Sequence, residues 1–226
     1  MSGAAFRALA RRAAARYPAR DRYARHFAYG KLTRDPVFEY LLREPLLARD
    51  ARILDLGCGQ GLLAALLAAE GAHGRLRYRG IDLSARDIGR ARAAAPSGCE
   101  FVAGDIRTSE FGRADVALLL DVLHYVGPED QDDVLRRVRE ALAGGGTLLM
   151  RVADVTAGLR FRITAALDRA AMRLRGHRVG RLHHLPLAER ASRLEALGFR
   201  VEARPMSEGT PFANVLLVAR YDSIAP

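Results

Sequence analysis

A glycine-rich stretch, Ile53-Leu-Asp-Leu-Gly-Cys-Gly-Gln-Gly61, constrains the fold of this 226-residue chain more than any other part of the sequence. Its first half is apolar except for Asp55, its second half has a glycine at every other position, and residues 62–69 are all leucine or alanine. This order is typical of a buried strand, a tight turn and a helix. Because glycine has no side chain, backbone N–H groups in such a turn can approach a ligand closely, and the helix start favours an anionic group.

The spacing of the glycines separates two kinds of nucleotide-binding turn. The dinucleotide fingerprint G-x-G-x-x-G requires a glycine at position 62, which is Leu62, and this argues against an oxidoreductase that binds NAD. Asp55 followed by glycines at 57, 59 and 61 resembles motif I of the class I S-adenosylmethionine (SAM) dependent methyltransferases, (D/E)-x-G-x-G-x-G. The resemblance covers nearly all of residues 49–221. It implies a Rossmann-like α/β fold, with a seven-stranded, mostly parallel sheet, an antiparallel last strand inserted between the fifth and sixth, and helices on both faces.

Strand and helix patterns alternate along the rest of the chain, and acidic residues recur at or near the strand ends. After the first strand, further strands are predicted at residues 75–83, 100–105, 114–120, 147–152, 198–204 and 212–221. Asp82, which lies 21 positions beyond Gly61, occupies the place where α/β nucleotide folds bind ribose hydroxyls. Ligands of open parallel sheets bind at the carboxyl ends of the strands. The recurrence of acids there predicts a nucleoside-type cofactor.

The resemblance implies a role for each group. Asp55 and the glycine turn hold the methionine part of SAM, Asp82 the ribose and Asp105 the adenine amino group, with Ile106 against the ring. Asp121 faces the amino group and the reaction centre. An N-terminal segment covers the cofactor, with ordinary surface packing as the alternative for that segment. The predicted cofactor-binding residues are Tyr29, Lys31, Asp55, Gly57, Cys58, Gly59, Gln60, Gly61, Asp82, Leu83, Gly104, Asp105, Ile106 and Asp121.

The candidate catalytic residues, His124 and Asp121, follow the fourth predicted strand. The stretch Asp121-Val-Leu-His124 lacks both the (N/D/S)-P-P-(Y/F) motif of amino-directed DNA methyltransferases and the Pro-Cys nucleophile of cytosine C5 enzymes. An unperturbed imidazole pKa near 6.5 suits proton removal from a phenol-like hydroxyl. The alternative is a histidine that fills the pocket wall, and His183 and His184 are second candidates for the base. No ligand spacing supports a metal, so none is expected.

Composition limits the partners. The net charge is +10, and the bases are dispersed among acids after Asp50. A GC-rich genome, whose codons favour arginine and alanine, therefore explains the charge as well as an anionic partner does. A nucleic-acid partner is not expected, because the chain has no stripe of interleaved aromatic and basic residues. Two cysteines form no disulfide framework, and no apolar run reaches the roughly 20 residues of a membrane span. These features favour a cytoplasmic, bacterial protein.

Two segments are predicted to flank or interrupt the cofactor-binding domain. Residues 1–48 form a helical cap, and residues 49–226 form the SAM-binding domain within one structural domain overall. A basic amphipathic helix at about 156–175 belongs to an insertion at about 156–184, in which Leu159, Ile163 and Leu167 share an apolar face. The Arg-rich helices leave three roles open, namely a substrate lid, docking of a carrier protein and peripheral contact with a membrane.

The functional hypothesis is methyl transfer from SAM to a small-molecule acceptor, most plausibly at oxygen. A carrier-bound acyl or aryl intermediate of secondary metabolism is one form of that substrate. The alternatives are an RNA methyltransferase, suggested by the positive charge, and a protein that binds SAM without catalysis. S-adenosylhomocysteine (SAH) is the expected product. The sequence leaves monomer and homodimer open.

Overall fold

A computed structural model describes residues 1–71, 76–142, 145–174 and 182–221, without the side chains of residues 168 and 171–174. The strands are β1 Arg52–Leu56, β2 Arg77–Asp82, β3 Cys99–Ala103, β4 Val116–Leu120, β5 Gly146–Ala153, β6 Arg200–Pro205 and β7 Asn214–Tyr221. The helices are α1 Gly3–Ala15, α2 Arg22–Arg34, α3 Pro36–Arg43, α4 Leu62–Glu70, α5 Ala85–Ala94, α6 Pro128–Ala141, α7 Leu159–Leu174 and α8 Leu187–Ala196. A 3₁₀ turn spans Leu123–Tyr125.

The strand order confirms the predicted fold class. Seven strands form one sheet in the order β3-β2-β1-β4-β5-β7-β6. β1 and β2 pair in parallel, with Arg52 beside Arg77 and Leu56 beside Ile81, and β2 pairs in parallel with β3. β7 lies between β5 and β6 and is antiparallel to both. This is the mostly parallel, Rossmann-like sheet with an inserted antiparallel last strand.

The chain divides into two compact units, and residues 1–110 with 114–116 form the first. In this unit α1 packs against α2 and α4, and α5 packs against β2 and β3. The all-apolar start of α4 is buried from Leu62 to Leu67. The first unit therefore contains the glycine turn, the first three strands and the N-terminal helices. The predicted domain boundary at residue 48 stays a prediction.

Residues 111–113 and 117–226 form the second unit. Its strand β7 is buried from Leu216 to Ala219, and β5 is buried from Leu148 to Arg151. Such continuous burial is typical of strands that are covered on both faces. α8 packs against β6, and α6 buries Val134 and Val138.

Two helices differ from the expected pattern. Within the predicted helical cap, α3 ends at Arg43, because Pro45 disfavours helical geometry in the residue before it. In α7, Leu159 and Leu167 are 70% and 49% exposed, so the predicted apolar face is not the buried one. Gly144, predicted to close α6, and residues 176–181 of the predicted loop lie outside the described residues.

α7 is instead fixed by Thr164, whose hydroxyl accepts a hydrogen bond from the N–H of Ala213 at 3.1 Å and donates to the carbonyl of Arg160 at 3.0 Å. Ala165 beside it is also buried. The buried face of α7 is thus the one that carries Thr164 and Ala165, and Thr164 satisfies the backbone N–H just before β7. Leu159 and Leu167 are exposed instead.

Candidate functional site

The glycine turn connects β1 to α4 in the first unit. Gly57, Gly59 and Gly61 have φ angles of 79°, 54° and 72°, which residues with a side chain rarely adopt. The N–H of Gly57 donates to the carbonyl of Ile81 at 2.7 Å, and the N–H of Gly61 donates to the carbonyl of Cys58 at 2.9 Å. A Cβ added to Gly59 would meet no atom within 4 Å. The turn therefore has an open side against which a ligand can approach the backbone.

Asp82, at the end of β2, anchors this turn. One of its carboxylate oxygens accepts the N–H of Gly59 and the other accepts the N–H of Ser84, both at 2.8 Å. Each carboxylate oxygen has a further lone pair, so Asp82 can still accept hydrogen bonds from the two hydroxyls of a ribose. Leu83 beside it is 57% exposed. The geometry fits the predicted ribose contact, which stays a prediction.

Asp55 is buried within β1 and contacts the hydroxyl of Tyr78. Burial raises its pKa to about 7, the hydrogen bond from Tyr78 opposes this shift, and the charge of Asp82 adds to it. The carboxyl group of Asp55 therefore titrates near neutral pH, whereas an exposed carboxyl group is ionised there. Its predicted contact with the methionine part stays a prediction.

Packing also requires glycine at two positions in this unit. A Cβ on Gly61 would lie 3.0 Å from the Cβ of Ala91 and 3.1 Å from the ring of Phe101. A Cβ on Gly80 would lie 2.7 Å from both the Sγ of Cys58 and the ring of Phe101. Burial raises the pKa of the Cys58 thiol, so this side chain is an uncharged filler rather than a reactive thiolate.

The loop after β3 carries Gly104, Asp105 and Ile106. The carboxylate of Asp105 pairs with the guanidinium of Arg107 at 2.6 Å, and this hydrogen bond holds the pKa of Asp105 below its usual range. Ile106 is buried, and a Cβ on Gly104 would lie 2.5 Å from the Oγ of Ser109, so only glycine fits the loop there. Asp105 would have to share or exchange Arg107 to contact an adenine amino group.

The N-terminal helices reach the glycine turn through Tyr17. Its buried hydroxyl donates to the carbonyl of Gln60 at 2.8 Å, and burial raises its pKa, so it stays protonated. Lys31 pairs with the carboxylate of Asp35 at 2.8 Å, and Tyr29 is half-buried on the same helix. For Lys31 this is the surface packing that the sequence left as an alternative. Cofactor contacts of Lys31 and Tyr29 stay predictions.

In the second unit, Asp121 follows β4 in a left-handed backbone conformation with φ of 59°. The Nε of Arg151 donates to one carboxylate oxygen at 2.9 Å, and its Nη2 contacts the other. Arg151 is 2% exposed, whereas the Asp121 side chain is 30% exposed, so the arginine is shielded from water and the carboxylate is only partly shielded. A two-point contact of this kind fixes the orientation of a carboxylate. Arg151 therefore holds Asp121 in a strained conformation.

His124 lies in the 3₁₀ turn and is buried. Its ring stacks on His184 with centroids 4.6 Å apart and planes 17° apart, and Phe161 meets His184 edge-on at 5.0 Å. The Tyr125 ring lies 4.1 Å from that of His124. The backbone carbonyl of His124 accepts the N–H of His183 at 2.8 Å. Two of the three candidate histidines, His124 and His184, thus share one cluster of rings.

Burial keeps both stacked imidazoles uncharged. It lowers the pKa of His124 to about 4, with His184 and Arg190 acting in the same direction and Asp121 opposing them. Burial likewise lowers the pKa of His184, with help from Arg169 and Arg190. At neutral pH each ring can accept a hydrogen bond, but so low a pKa makes His124 a weak proton acceptor.

A buried amide connects this cluster to α8. Gln131 donates its amide to the carbonyls of Val126 at 2.9 Å and His183 at 3.0 Å, and it accepts the Nη2 of Arg190 at 2.6 Å. Arg190 is 2% exposed, and burial lowers its pKa to about 10. It therefore remains a cation at neutral pH, inside the protein.

Sequence reasoning missed several side chains that shape the glycine turn and the histidine cluster. They are Tyr17, Tyr78, Gln131, Arg151 and Arg190. Tyr78 and Arg151 lie on predicted strands, and a polar group inside a buried strand needs a partner, which is a usable signal. Gln131 and Arg190 lie on helices rich in charged residues. Nothing in the sequence marks these two as buried.

Among the residues that the structure describes, no group of three or more His, Cys, Asp or Glu side chains could hold a metal ion. Within the same ranges, no helix combines the length and the apolar character needed to cross a bilayer. Cys58 and Cys99 are both free thiols.

Known proteins resemble this chain in sequence. Residues 53–146 match the family described as "Methyltransferase domain", and this stretch contains the glycine turn, Asp82, Asp105 and Asp121. The chain is similar to the carboxy-S-adenosyl-L-methionine synthase of Chromohalobacter salexigens, with 32% identity over 115 residues, or 49% of this chain and 43% of that protein. The chain spans about half the length of the curated relatives it matches.

Solved structures are similar over most of the chain. One is the S-adenosylmethionine-dependent methyltransferase SibL in its apo form, with 25% identity and a TM-score of 0.63, covering 88% of this chain and 57% of that one. Another is the magnesium protoporphyrin IX methyltransferase of Synechocystis PCC 6803 with bound SAH, with 21% identity and a TM-score of 0.61, covering 89% and 88%. The second similarity shows a shared fold.

Proposed function

We propose that the chain is a class I S-adenosylmethionine-dependent methyltransferase that transfers a methyl group from SAM to an oxygen atom of a small-molecule acceptor, which its match over residues 53–146 and its fold support. One observation carries the proposal: the glycine turn is open at Gly59, where an added Cβ would meet no atom within 4 Å, and the carboxylate of Asp82 anchors the turn at the same residue. When bound, SAM supplies an electrophilic methyl group. The protein then contributes binding and orientation.

Residues of the first unit would bind the cofactor. The turn from Gly57 to Gly61 would hold the methionine part, because its backbone is open to a ligand at Gly59. Asp82 would accept the ribose hydroxyls, and Asp105 would accept the adenine amino group in place of part of its contact with Arg107. Asp55, which exchanges its proton near neutral pH, would adjust the charge beneath the turn.

Residues of the second unit would bind the acceptor. The uncharged imidazole of His124 suits acceptance of a hydrogen bond from an acceptor hydroxyl, and Asp121, oriented by Arg151, would face the reacting groups. The predicted role of His124 as a base can be tested separately from this role as a hydrogen-bond acceptor. If His124 removes the proton, activity should fall only below about pH 4, and the variant His124→Gln should lose that limb of the pH profile.

Calorimetric titration with SAM, SAH and NAD tests the cofactor. We expect SAM and SAH to bind and NAD not to bind. The variant Asp82→Asn should bind SAM at least about tenfold more weakly, because an amide replaces a carboxylate that accepts several hydrogen bonds. Asp133→Asn, at an exposed surface pair with Arg136, is the matched control and should bind as wild type does. Tight NAD binding without SAM binding would contradict the proposal.

A carrier-bound acyl or aryl group is one proposed form of the acceptor. In support, α7 exposes Leu159 and Leu167 beside the exposed bases Arg160, Arg162 and Arg169. An acidic carrier protein would complement this surface. Replacing Arg160 and Arg162 by glutamate should then weaken turnover of carrier-bound substrate more than turnover of the free acid, compared side by side. A cytoplasmic location is proposed with this substrate, since both cysteines are free.

A second candidate function is modification of SAM itself, favoured by curated relatives that are named carboxy-S-adenosyl-L-methionine synthases. Mass spectrometry of the nucleosides recovered after incubation separates the possibilities. Methyl transfer converts SAM to SAH, whereas the second function yields a carboxylated SAM. Binding without any conversion would support a non-catalytic protein, and salt-sensitive binding of ribosomal RNA would support an RNA substrate.

A further inference from the structure

Arg190, near the start of α8, carries a buried charge that forms no salt bridge with a carboxylate in the described part of the chain. Its side chain is 2% exposed. The Nη2 atom donates to Gln131 at 2.6 Å, whereas the Nη1 atom is buried and meets no hydrogen-bond acceptor among the described residues. A buried cation without a counterion costs several kcal/mol. Retention of such a costly group suggests that it binds an anionic ligand.

The two acids whose charges act on Arg190, Asp132 and Glu189, form their salt bridges with another arginine. Arg193, one turn along α8, binds Asp132 at 2.7 Å and Glu189 at 2.8 Å. All three side chains are at least 30% exposed, so these pairs lie at the surface, whereas Arg190 is buried. Arg193 is therefore paired at the surface, whereas Arg190 is buried and keeps its charge available for an anion.

His184 supplies a second polar atom in the same cluster. Its Nε2 atom is buried and has no hydrogen-bond partner among the residues that the structure describes. Arg190 is close enough for its charge to lower the pKa of both His184 and His124. The rings of Phe161 and Tyr125 border the two imidazoles. Polar donors beside a group of flat rings suit an anionic group on a planar, conjugated molecule.

We infer that Arg190, together with His184, binds a carboxylate carried by the methyl acceptor. The inference rests on the proposed function, because it names the chemical class of the acceptor. A guanidinium recognises a carboxylate better than any other side chain does, and an imidazole N–H adds a second donor. A carboxylate held here is free, so of the acceptor forms proposed above this inference selects the free acid and not the carrier-bound one. The acceptor would therefore be an aromatic or conjugated acid that carries its methylated oxygen elsewhere.

Binding of 4-hydroxybenzoate and of its uncharged counterpart 4-hydroxybenzamide tests the inference. Calorimetry and thermal unfolding would be measured on the full chain saturated with SAH. Wild type should bind the acid at least about tenfold more tightly than the amide, since a charge-assisted hydrogen bond contributes roughly 1.5–3 kcal/mol. The acid, but not the amide, should raise the melting temperature.

Three variants complete the experiment. Arg190→Met should fold, because an apolar side chain of similar length replaces an unbalanced buried charge, and it should bind acid and amide equally weakly. Arg190→Lys should keep part of the preference for the acid. Arg193→Met removes an exposed arginine from the same helix and should bind both probes as wild type does.

Two results would overturn the inference. One is a wild-type protein that does not prefer the acid, including one that binds neither probe. The other is an Arg190→Met variant that keeps the preference. Titration of SAH into the same variants keeps the two proposals apart. Normal SAH binding without preference for the acid would contradict only the carboxylate site, whereas failure to bind SAH or SAM would contradict the proposed function.

Discussion

The glycine turn of the first unit and the histidine cluster of the second are held by different kinds of contact. The turn is fixed by backbone groups and one carboxylate, and its glycines adopt φ angles that few other residues tolerate. The cluster is fixed by side chains, with His124 stacked on His184 and Arg190 bonded to Gln131. The conformation of the turn thus requires residues without side chains, whereas the histidine cluster is held together by contacts between side chains.

This difference matches the two tasks proposed for the units. A cofactor common to a whole family can be bound by backbone atoms, which every sequence offers. An acceptor that varies between enzymes has to be recognised by side chains, which can be exchanged one at a time. Changes in the turn should therefore damage folding and cofactor binding together, whereas changes in the cluster should alter acceptor preference or pH response first.

Adding a methyl group at Gly61 should have the largest effect. Gly61→Ala combines positive φ with contacts near 3 Å to Ala91 and Phe101, so the free energy of unfolding should fall by roughly 3 kcal/mol. Gly59→Ala is the matched control, because it has positive φ but no neighbour within 4 Å, and should lose only about 1 kcal/mol. Urea unfolding measures both. Equal losses would contradict the packing role of Gly61.

Removing the buried partner of Asp121 should have the next largest effect. Arg151→Met removes the guanidinium that binds the carboxylate of Asp121, a residue with positive φ. The variant should be destabilised by about 2 kcal/mol. The loss is below that of a fully buried pair, because the Asp121 side chain is 30% exposed. Arg136→Met removes exposed surface pairs with Asp133 and Glu140 and should leave the free energy of unfolding almost unchanged. Similar losses in both variants would mean that burial of Arg151 does not matter.

The two clusters were also unequally predictable from the sequence. The turn was placed on the correct strand and helix, because glycine spacing and an apolar run are local patterns. The position of Asp82 beside the turn is likewise predictable from its distance along the chain from Gly61. The stack of His124 on His184 joins residues sixty positions apart, and no local pattern encodes such a contact. The exposed leucines of α7 show the same limit, since periodicity identifies an apolar face without saying what covers it.

His124 should make stability depend on pH. Because its pKa is about 4 in the folded protein and near 6.5 when unfolded, only the unfolded chain takes up a proton as pH falls through this window. The free energy of unfolding should therefore decrease from pH 7 to pH 5, by about 1.5 kcal/mol from this residue. In His124→Gln that contribution should vanish. Urea titrations at several pH values measure the difference, and an unchanged slope would show that His124 is not buried as described.

Asp55 provides the mirror-image control in the other unit. Its raised pKa means that the folded protein keeps a proton that the unfolded chain loses between pH 3.8 and about 7. This residue therefore lowers stability as pH rises, opposite to His124. Asp55→Asn should make the stability curve rise more steeply over that range, whereas His124→Gln should flatten it. Two variants that tilt the curve in the same direction would break the comparison between the units.

The smallest effect should come from the hydroxyl that joins the N-terminal helices to the turn. Tyr17→Phe removes the hydrogen bond to the carbonyl of Gln60 and should cost about 1 kcal/mol in stability. Tyr23→Phe, on the neighbouring helix α2, is the control, because Tyr23 is 61% exposed and the described residues offer its hydroxyl no hydrogen bond, and it should change little. SAM affinity would be measured in both. A weaker affinity in Tyr17→Phe alone would mean that a side chain also shapes the backbone site, and the contrast between the two units would narrow.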